Sequence, residues 1–331
     1  MRYPAILAIA AAGFVSAAQA EDCTLKQMAS LDMTMLPDGR VAVPVTINGT
    51  SHRFMVDTAG IFSQISADAS QKLGLKEQPI EGEMYGVGGR LHLTAANVKS
   101  FMVGNNEARD FHLGVRHAGP GSDSKKSDSD DSVDGLLAPD FLSLFDIELD
   151  FAAKKMNLFS QDHCAGKVVY WTRSGYAELP FHYTNGAIAV TPHIELRMAL
   201  DGHDLATDLD TGASYTFFGR KTAVRIFGID ETSPGVTRVP GSSDKFPIYT
   251  KQFGTLALGG LTVNNPQVEI LPDGADDSFR MQHSEKSRDD PIYGTYLLGA
   301  DFTLGMNVLS KLHLYIAYKE HKIYLTAAGA K

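Results

Sequence analysis

The residues of this sequence best suited to do chemistry are two aspartates, Asp57 and Asp210, each followed directly by a threonine. The two Asp-Thr pairs are offset by 153 residues. Two carboxyl groups held about 3 Å apart cannot both ionise, so they share one proton, and one group is then a base while the other is an acid. Their apparent pKa values therefore describe the pair and not either residue alone. Such a pair could activate water and protonate a leaving group without a metal ion or a covalent intermediate.

The segments that precede the two aspartates share one pattern. Apolar residues alternate with smaller or polar ones along 41–47, up to an Asn-Gly at 48–49. The same alternation runs along 188–200, up to an Asp-Gly at 201–202. Period-two alternation predicts a strand, and Asn-Gly or Asp-Gly predicts a tight hairpin turn. Each aspartate therefore follows a predicted β-hairpin.

The segments that follow the two aspartates also match. A short helical stretch ends at a glycine in each copy, at 66–74 and at 220–228, and glycine is common just after a helix. Later comes the same apolar-apolar-small-x-Asp-Phe block, at 136–141 and at 297–302. Each block leads into two strands of alternating polarity. The repeat predicts a mostly β protein with two lobes.

The repeated motifs resemble those of a known family. The segment 210–214, Asp-Thr-Gly-Ala-Ser, resembles the active-site motif of aspartic proteases, and 57–60, Asp-Thr-Ala-Gly, resembles a variant of it. The Leu-Leu-Gly at 297–299 resembles the element that braces the active-site loop in that family. The chain looks like an exported bacterial retropepsin-like protein in which two protease-like lobes, residues 21–165 and 166–331, are fused.

This resemblance implies an all-β, bilobal pepsin-like fold with a cleft between the lobes, and an aspartic endopeptidase that acts on extended peptides. Asp57 and Asp210 would be the catalytic pair. Thr58 and Thr211 would hydrogen-bond across the interface and hold the two loops, while Gly212 would permit a sharp turn. The alternative on the same fold is a protein that binds peptides but hydrolyses them poorly or not at all.

A glycine-rich segment after the first aspartate resembles a flap. Gly86, Val87, Gly88 and Gly89 resemble the flap tip of retroviral-type proteases, and Tyr85 resembles the flap tyrosine of pepsin-type enzymes. The resemblance implies a hairpin above the two aspartates. Such a hairpin would exclude water and bind an extended peptide through main-chain hydrogen bonds.

The second lobe has two Pro-Gly pairs in the equivalent stretch, 234–241. Because proline cannot donate a hydrogen bond to a strand ladder, we expect paired strands to be disrupted there. The expectation is therefore one functional flap, on the first lobe.

The first lobe departs from the family's pattern at Ala59 and Ala138, each of which stands in place of a glycine. If the loop needs a positive φ at residue 59, alanine costs on the order of 1 kcal/mol or more. If it does not, alanine is harmless, and the residue types leave both possibilities open.

At the fourth position of the two loops, Gly60 and Ala213 lack the hydroxyl that stabilises an ionised aspartate in pepsin-type enzymes. We therefore expect raised pKa values for the pair and hydrolysis at mildly acidic pH.

Residues 1–20 have the pattern of an export signal, with a basic start, an apolar stretch and Ala-Gln-Ala at 18–20. They predict a periplasmic or secreted protein, and no later apolar run is long enough to span a membrane. Because that compartment is oxidising and the chain has 2 cysteines, we expect a disulfide between Cys23 and Cys164.

Composition and motifs exclude several other classes. The chain has 331 residues, of which 44% are hydrophobic and 21% charged, too apolar a balance for a disordered protein. Its net charge of −9 argues against a nucleic-acid partner, and its histidines show no zinc-ligand spacing, so we expect no cofactor. Asp208 and Asp210 form an Asp-x-Asp like that of haloacid-dehalogenase phosphatases, but Gly212 stands where that motif has threonine or valine.

We expect a monomer whose partner is a peptide or protein substrate.

Overall fold

The computed structural model describes residues 23–80, 84–86, 89–117, 133–183, 193–272 and 300–330. It gives the backbone alone for 84–86 and 89–93. The predicted export signal lies outside these residues. The fold is all-β with a few short helices, which confirms the predicted fold class. Within the described ranges, no helix is long and apolar enough to cross a membrane.

The elements follow the repeat in chain order. The first half contains β1 Gln27–Asp32, β2 Thr34–Met35, β3 Val41–Ile47, β4 Thr50–Val56, β5 Gln64–Ser66, α1 Ala67–Lys72, β6 Glu77–Pro79, β7 Met84–Gly86, β8 Gly89–Val103, β9 Asn106–His117, β10 Gly135–Leu137, α2 Pro139–Leu142, β11 Asp146–Asp150 and β12 Lys155–Phe159. The second half contains β13 Ala177–Tyr183, β14 Ile194–Leu200, β15 His203–Leu209, β16 Phe217–Gly219, α3 Arg220–Thr222 continued by a π-helical turn Ala223–Phe227, β17 Val236–Arg238, β18 Tyr249–Gln252, β19 Thr255–Leu258, β20 Leu261–Asn264, β21 Gln267–Leu271, β22 Phe302–Leu304, α4 Met306–Leu309, β23 Leu312–Ala317 and β24 Lys322–Ala327.

The strands form two sheets. One holds β2 to β10 in the order β2-β3-β4-β10-β5-β9-β8-β6, with β7 paired to β8. The other follows the order β1-β12-β11-β23-β24-β13-β14-β15-β22-β16-β21-β18-β17, with β19 paired to β14 and β20 paired to β19. The two halves meet where β11 pairs with β23, with Ile147 opposite Ile316 and Leu149 opposite Leu314, all buried. The lobes are therefore joined by one continuous sheet, and the predicted boundary at residue 165 stays a prediction.

Burial on one face explains the alternating pattern that precedes each aspartate. In β3 and in β14 every second side chain is buried in the core. Each strand runs into the next through a two-residue turn, and the turn residues have positive φ: Asn48, Gly49, Asp201 and Gly202. Such turns match the right-handed twist of the flanking strands, which is why Asn-Gly and Asp-Gly favour them. Both predicted hairpin turns are confirmed.

The expectation that prolines would disrupt strand pairing in the second lobe was wrong. β17 pairs with β18 in antiparallel register, with Val236 opposite Lys251. Pro234 and Pro240 lie on either side of β17, so neither takes the place of a donor in the ladder. The second lobe therefore carries a hairpin where the first lobe carries β7 and β8.

The predicted disulfide between Cys23 and Cys164 is present, with 4.8 Å between the two Cα atoms. It ties the chain just before β1 to the segment that joins the lobes. Beside it, the buried ring of His163 donates from Nε2 to the buried carboxylate of Asp146 at 2.6 Å. The N-terminal segment is thus fastened to the junction of the two halves.

A second buried pair crosses between the halves. His313 on β23 hydrogen-bonds through Nε2 to the Glu148 carboxylate on β11 at 2.9 Å. The Trp171 ring stacks on the His313 ring with 4.4 Å between centroids. Asn157 and Tyr170 donate to the other oxygen of Glu148. Because a buried charge needs partners, this set of contacts favours one relative placement of β11 and β23.

We predict that the double substitution Cys23→Ser/Cys164→Ser lowers the free energy of unfolding by up to about 5 kcal/mol. The bond joins residues 141 apart, and without it the unfolded chain regains the entropy of that loop. Urea denaturation measures the difference. The reduced wild-type protein is the matched control, because it loses the bond without a change of residue. Equal midpoints for the oxidised and reduced proteins would contradict the prediction.

Candidate active site

Each aspartate lies just past the end of a strand at the interface between the lobes. Asp57 follows β4, and its N–H donates to the Leu137 carbonyl of β10 at 3.0 Å. Asp210 follows β15, and its N–H donates to the Leu304 carbonyl of β22 at 3.1 Å. In both lobes the strand pair that anchors the aspartate is parallel. The repeat in sequence is therefore a repeat in structure.

The two threonines join the loops by crossed hydrogen bonds. The Thr58 N–H donates to Thr211 Oγ1 at 3.1 Å, and the Thr211 N–H donates to Thr58 Oγ1 at 3.0 Å. Each hydroxyl donates onward into the opposite lobe, from Thr58 to the Leu209 carbonyl at 2.7 Å and from Thr211 to the Val56 carbonyl at 2.8 Å. Both threonines are buried. Each hydroxyl thus donates once and accepts once, so neither loop can shift alone without leaving a buried polar group unpaired.

The carboxyl groups of Asp57 and Asp210 lie against each other, since a single Cβ added at Gly212 would lie 2.6 Å from Asp57 Oδ1 and 3.0 Å from Asp210 Oδ1. Asp57 Oδ1 also accepts from the Ala59 N–H at 3.1 Å. Asp210 Oδ1 accepts from the N–H groups of Gly212 at 2.7 Å and Ala213 at 3.1 Å. Each aspartate keeps part of its surface exposed. The arrangement is a pair of adjacent, oriented carboxyl groups on two residues that are not fully buried.

Burial raises the pKa of both carboxyl groups above the ordinary range of aspartate. The charge of Asp57 and that of Asp208 raise the pKa of Asp210 further. The Asp57 pKa is drawn down in part by backbone N–H groups and by the charge of Arg40. The environments are therefore unequal: of the two, Asp57 is the better placed to stay ionised and Asp210 to keep the shared proton.

Two basic side chains that sequence reasoning missed reach across the interface. Arg40 Nη1 donates to the Gly212 carbonyl of the second lobe at 3.4 Å, while Asp38 holds its guanidinium. His193 Nε2 donates to the Gly60 carbonyl of the first lobe at 3.3 Å. Each precedes its own aspartate by the same number of residues, so the repeat itself could have indicated them. Burial lowers the pKa of His193, so the two-fold pattern pairs a permanent cation with a group that favours the neutral form.

The alanines of the first lobe are not strained. Neither Ala59 nor Ala138 is among the described residues with positive φ. A Cβ added at Gly60 would lie 3.0 Å from the Ala138 Cβ and 3.0 Å from Asp57 Oδ2. The first lobe thus has its glycine at residue 60 because Ala138 fills the space that a side chain there would need.

Gly212 is required for a different reason from the one expected. Its φ is not positive, so conformational freedom does not explain it. A Cβ at this position would lie 2.6 Å from Asp57 Oδ1 and 3.0 Å from Asp210 Oδ1. Real Cβ atoms do not approach so closely, so Gly212 is needed for the close approach of the two carboxyl groups.

The predicted flap segment is described only in part. β7 and β8 form an antiparallel hairpin with Tyr85 opposite Arg90 and Gly86 opposite Gly89. Val87 and Gly88, the expected tip, lie outside the described residues. So does the Leu-Leu-Gly expected to brace the second loop. The placement of the hairpin above the aspartates stays a prediction.

Asp140, the repeated aspartate of the first lobe, holds the loop that carries Asp57. Its carboxylate accepts from the Ser63 N–H at 2.9 Å and from Ser63 Oγ at 2.7 Å. Ser63 Oγ in turn accepts from the Ala138 N–H at 3.0 Å. Across the ranges that the structure describes, no cluster of His, Cys, Asp or Glu side chains is arranged to hold a metal ion.

Fold and site together define a two-lobed all-β protein with paired aspartates at the lobe interface. Residues 43–141 and 196–302 each match the model of the aspartyl protease family, and each match contains one Asp-Thr pair. The two matches cover more than half of the chain. The chain therefore belongs to the aspartyl protease family. No curated protein matches the sequence.

We predict that Thr58→Val lowers the free energy of unfolding by about 2 kcal/mol or more, because it leaves the buried Thr211 N–H and Leu209 carbonyl without partners. Thr211→Val should have a similar effect for the symmetric reason. Chemical denaturation measures both. Thr58→Ser is the matched control, since it keeps the hydroxyl and should retain most of the stability. Equal stability of Thr58→Val and Thr58→Ser would show that the crossed bonds do not hold the loops.

Proposed function

We propose that the chain is an aspartic endopeptidase whose catalytic pair is Asp57 and Asp210. The single observation that carries this proposal is the contact between the two carboxyl groups, which the crossed threonine bonds maintain. Membership of the aspartyl protease family supports a protease-type hydrolase in general. Thr58, Thr211 and Gly212 support the pair, the threonines by fixing both loops and the glycine by leaving room for the carboxyl groups.

In this mechanism a water molecule binds between the two carboxyl groups. Ionised Asp57 accepts a proton from the water while the water oxygen attacks the peptide carbonyl carbon. Protonated Asp210 gives its proton to the carbonyl oxygen. The product is a neutral tetrahedral diol. Asp57 then passes its proton to the leaving nitrogen as the C–N bond breaks, and Asp210 recovers a proton from the diol. Atoms and charge balance, and no metal ion takes part.

The unequal surroundings of the two aspartates support this division of roles. Arg40 donates to the Gly212 carbonyl, and Gly212 lies directly against the Asp57 carboxyl group. A fixed positive charge therefore stands beside the proposed base. Asp208 stands two residues before the proposed acid and adds a like charge there. The fit of Ala59 and Ala138 without positive φ favours an active enzyme over a protein that only binds peptides.

The remaining parts of the proposal concern substrate and location. The Tyr85–Gly89 hairpin would close over an extended peptide and bind its main chain. The residues proposed to act lie in one chain, so we propose a monomer. Residues 1–20 would direct export, and the Cys23–Cys164 disulfide fits an oxidising compartment such as the periplasm.

We predict that Asp57→Asn and Asp210→Asn each reduce peptide hydrolysis to background, because either change removes the shared proton while barely altering shape. Initial rates on a casein-derived peptide mixture, followed by mass spectrometry, measure the loss. Asp204→Asn is the matched control: it changes an exposed aspartate of β15 and should keep full activity. Full activity in either dyad variant would refute the mechanism.

The pH dependence follows from the raised pKa values. The active pair carries one proton, so activity lies between its two apparent pKa values, and raising both moves that window toward higher pH. We predict an optimum in the mildly acidic range. Arg40→Gln removes the charge that lowers the Asp57 pKa, so the acidic limb of the pH–rate profile should shift to higher pH. Arg225→Gln, at an exposed arginine paired with Asp301, is the control and should leave the profile unchanged. An unshifted acidic limb in Arg40→Gln would contradict the assigned roles.

A further inference from the structure

A pocket of about 440 Å³ lies in the second lobe beside the loop that carries Asp210. Its walls come from the β17–β18 hairpin, from β21 and from Tyr215. Within the described part of the chain, Glu269 is the one charged side chain that lines it; the polar lining includes Thr237, Thr250 and Gln252. The pocket is therefore lined by apolar and polar groups together and carries a single negative charge.

Glu269 is held in the sheet by its backbone, but its carboxylate makes none of the contacts that stabilise the described fold. Its N–H donates to the Thr216 carbonyl of the catalytic loop at 2.9 Å. Phe217 and Thr250 lie opposite it on the two neighbouring strands. The side chain is half-buried, and no described residue hydrogen-bonds or pairs with its carboxylate. Burial raises the pKa of Glu269, and no described charged group offsets that effect.

The neighbouring hairpin carries three cations, Arg238, Lys245 and Lys251, of which Arg238 and Lys251 are engaged elsewhere. Lys251 Nζ donates to the Pro234 carbonyl at 2.7 Å. Arg238 pairs with Asp244 and donates to the Ser242 carbonyl. Neither is available to neutralise Glu269. A positive, hydrogen-bond-donating group that enters the pocket would therefore find this carboxylate without a partner among the described residues.

Tyr215 connects the pocket to the catalytic loop. It follows Asp210 by five residues, and its side chain is 52% exposed. The loop packs closely against Gly305 at this point, since a Cβ on Gly305 would lie 2.3 Å from the Tyr215 carbonyl oxygen. An exposed ring beside a carboxylate can cover the aliphatic part of a long cationic side chain while the carboxylate binds its charged end.

We propose that this pocket is a specificity subsite for a lysine or arginine side chain of the substrate, with Glu269 pairing with the cationic group and Tyr215 packing along its stem. The β17–β18 hairpin occupies the place in the second lobe that the predicted flap occupies in the first. A peptide extended along the cleft would therefore pass between this hairpin and the catalytic loop. The inference rests on the proposed function in one respect, that the cation is carried by a peptide.

The test uses a cleaved peptide in which one residue at a time, up to four positions either side of the scissile bond, is lysine, norleucine or glutamate. Wild-type enzyme should prefer lysine to norleucine at one position by about tenfold in kcat/KM, the magnitude of one well-placed charge-assisted contact. Glu269→Gln should abolish that preference, and Glu269→Lys should reverse it in favour of glutamate. Glu231→Gln, at an exposed glutamate paired with Arg220, is the matched control and should keep the preference.

The outcomes separate the subsite from the activity. Cleavage without a lysine preference, or a preference that survives in Glu269→Gln, overturns the subsite and leaves the proposed function standing. If no peptide is cleaved, the proposed function fails, and fluorescence anisotropy of the same peptides decides the subsite: lysine-dependent binding lost in Glu269→Gln supports it, and equal binding overturns it. Tyr215→Ala gives a second readout, since it should weaken the lysine preference without touching the carboxylate.

Discussion

The structure depends above all on the crossed hydrogen bonds between Thr58 and Thr211. Both threonines are buried, so water cannot replace these bonds, and each hydroxyl donates one bond and accepts one. The carboxyl groups of Asp57 and Asp210 come into contact because each immediately precedes its threonine. That contact is unfavourable for two charges. Burial raises the pKa of both groups, and the charge of Asp57 raises the pKa of Asp210 further. A rigid frame is therefore the condition for holding two carboxyl groups where repulsion would otherwise separate them.

Several features of the fold serve that frame. The pairing of β11 with β23 makes one sheet out of strands from both lobes, and the buried contact between Glu148 and His313 lies within it. The Cys23–Cys164 bond fastens the first strand to the same junction. Since the threonine bonds are about 3 Å long and depend on direction, small movements between the lobes would break them. The sheet that joins the lobes limits such movements, although it lies far from the catalytic loops themselves.

The backbone is close to two-fold symmetric, but the side chains are not. The first lobe has Ala59 and Gly60 where the second has Gly212 and Ala213, and the spatial demand of Ala138 explains the exchange. Arg40 crosses to one loop and His193 to the other, so a fixed charge stands on one side only. The pocket at Glu269 likewise belongs to one lobe. A fused pair of lobes can therefore assign different roles to equivalent positions, which two identical chains cannot do.

The sequence alone was enough to predict the all-β, two-lobed fold, the two hairpin turns, the disulfide and the loops that carry the aspartates. These features rest on local signals, namely period-two burial, Asn-Gly and Asp-Gly turns and a repeated motif, and two cysteines permit one intramolecular pairing. The tertiary structure alone decided the rest. The repeat could have indicated Arg40 as a residue of the site, but its contact is with a carbonyl 172 residues away, and no local pattern specifies such a contact. The harmlessness of Ala59, the need for Gly212 and the pairing of β17 between prolines depend on φ angles and on the space between loops. Residue type does not specify either quantity, because both are set by what the rest of the chain packs against each position.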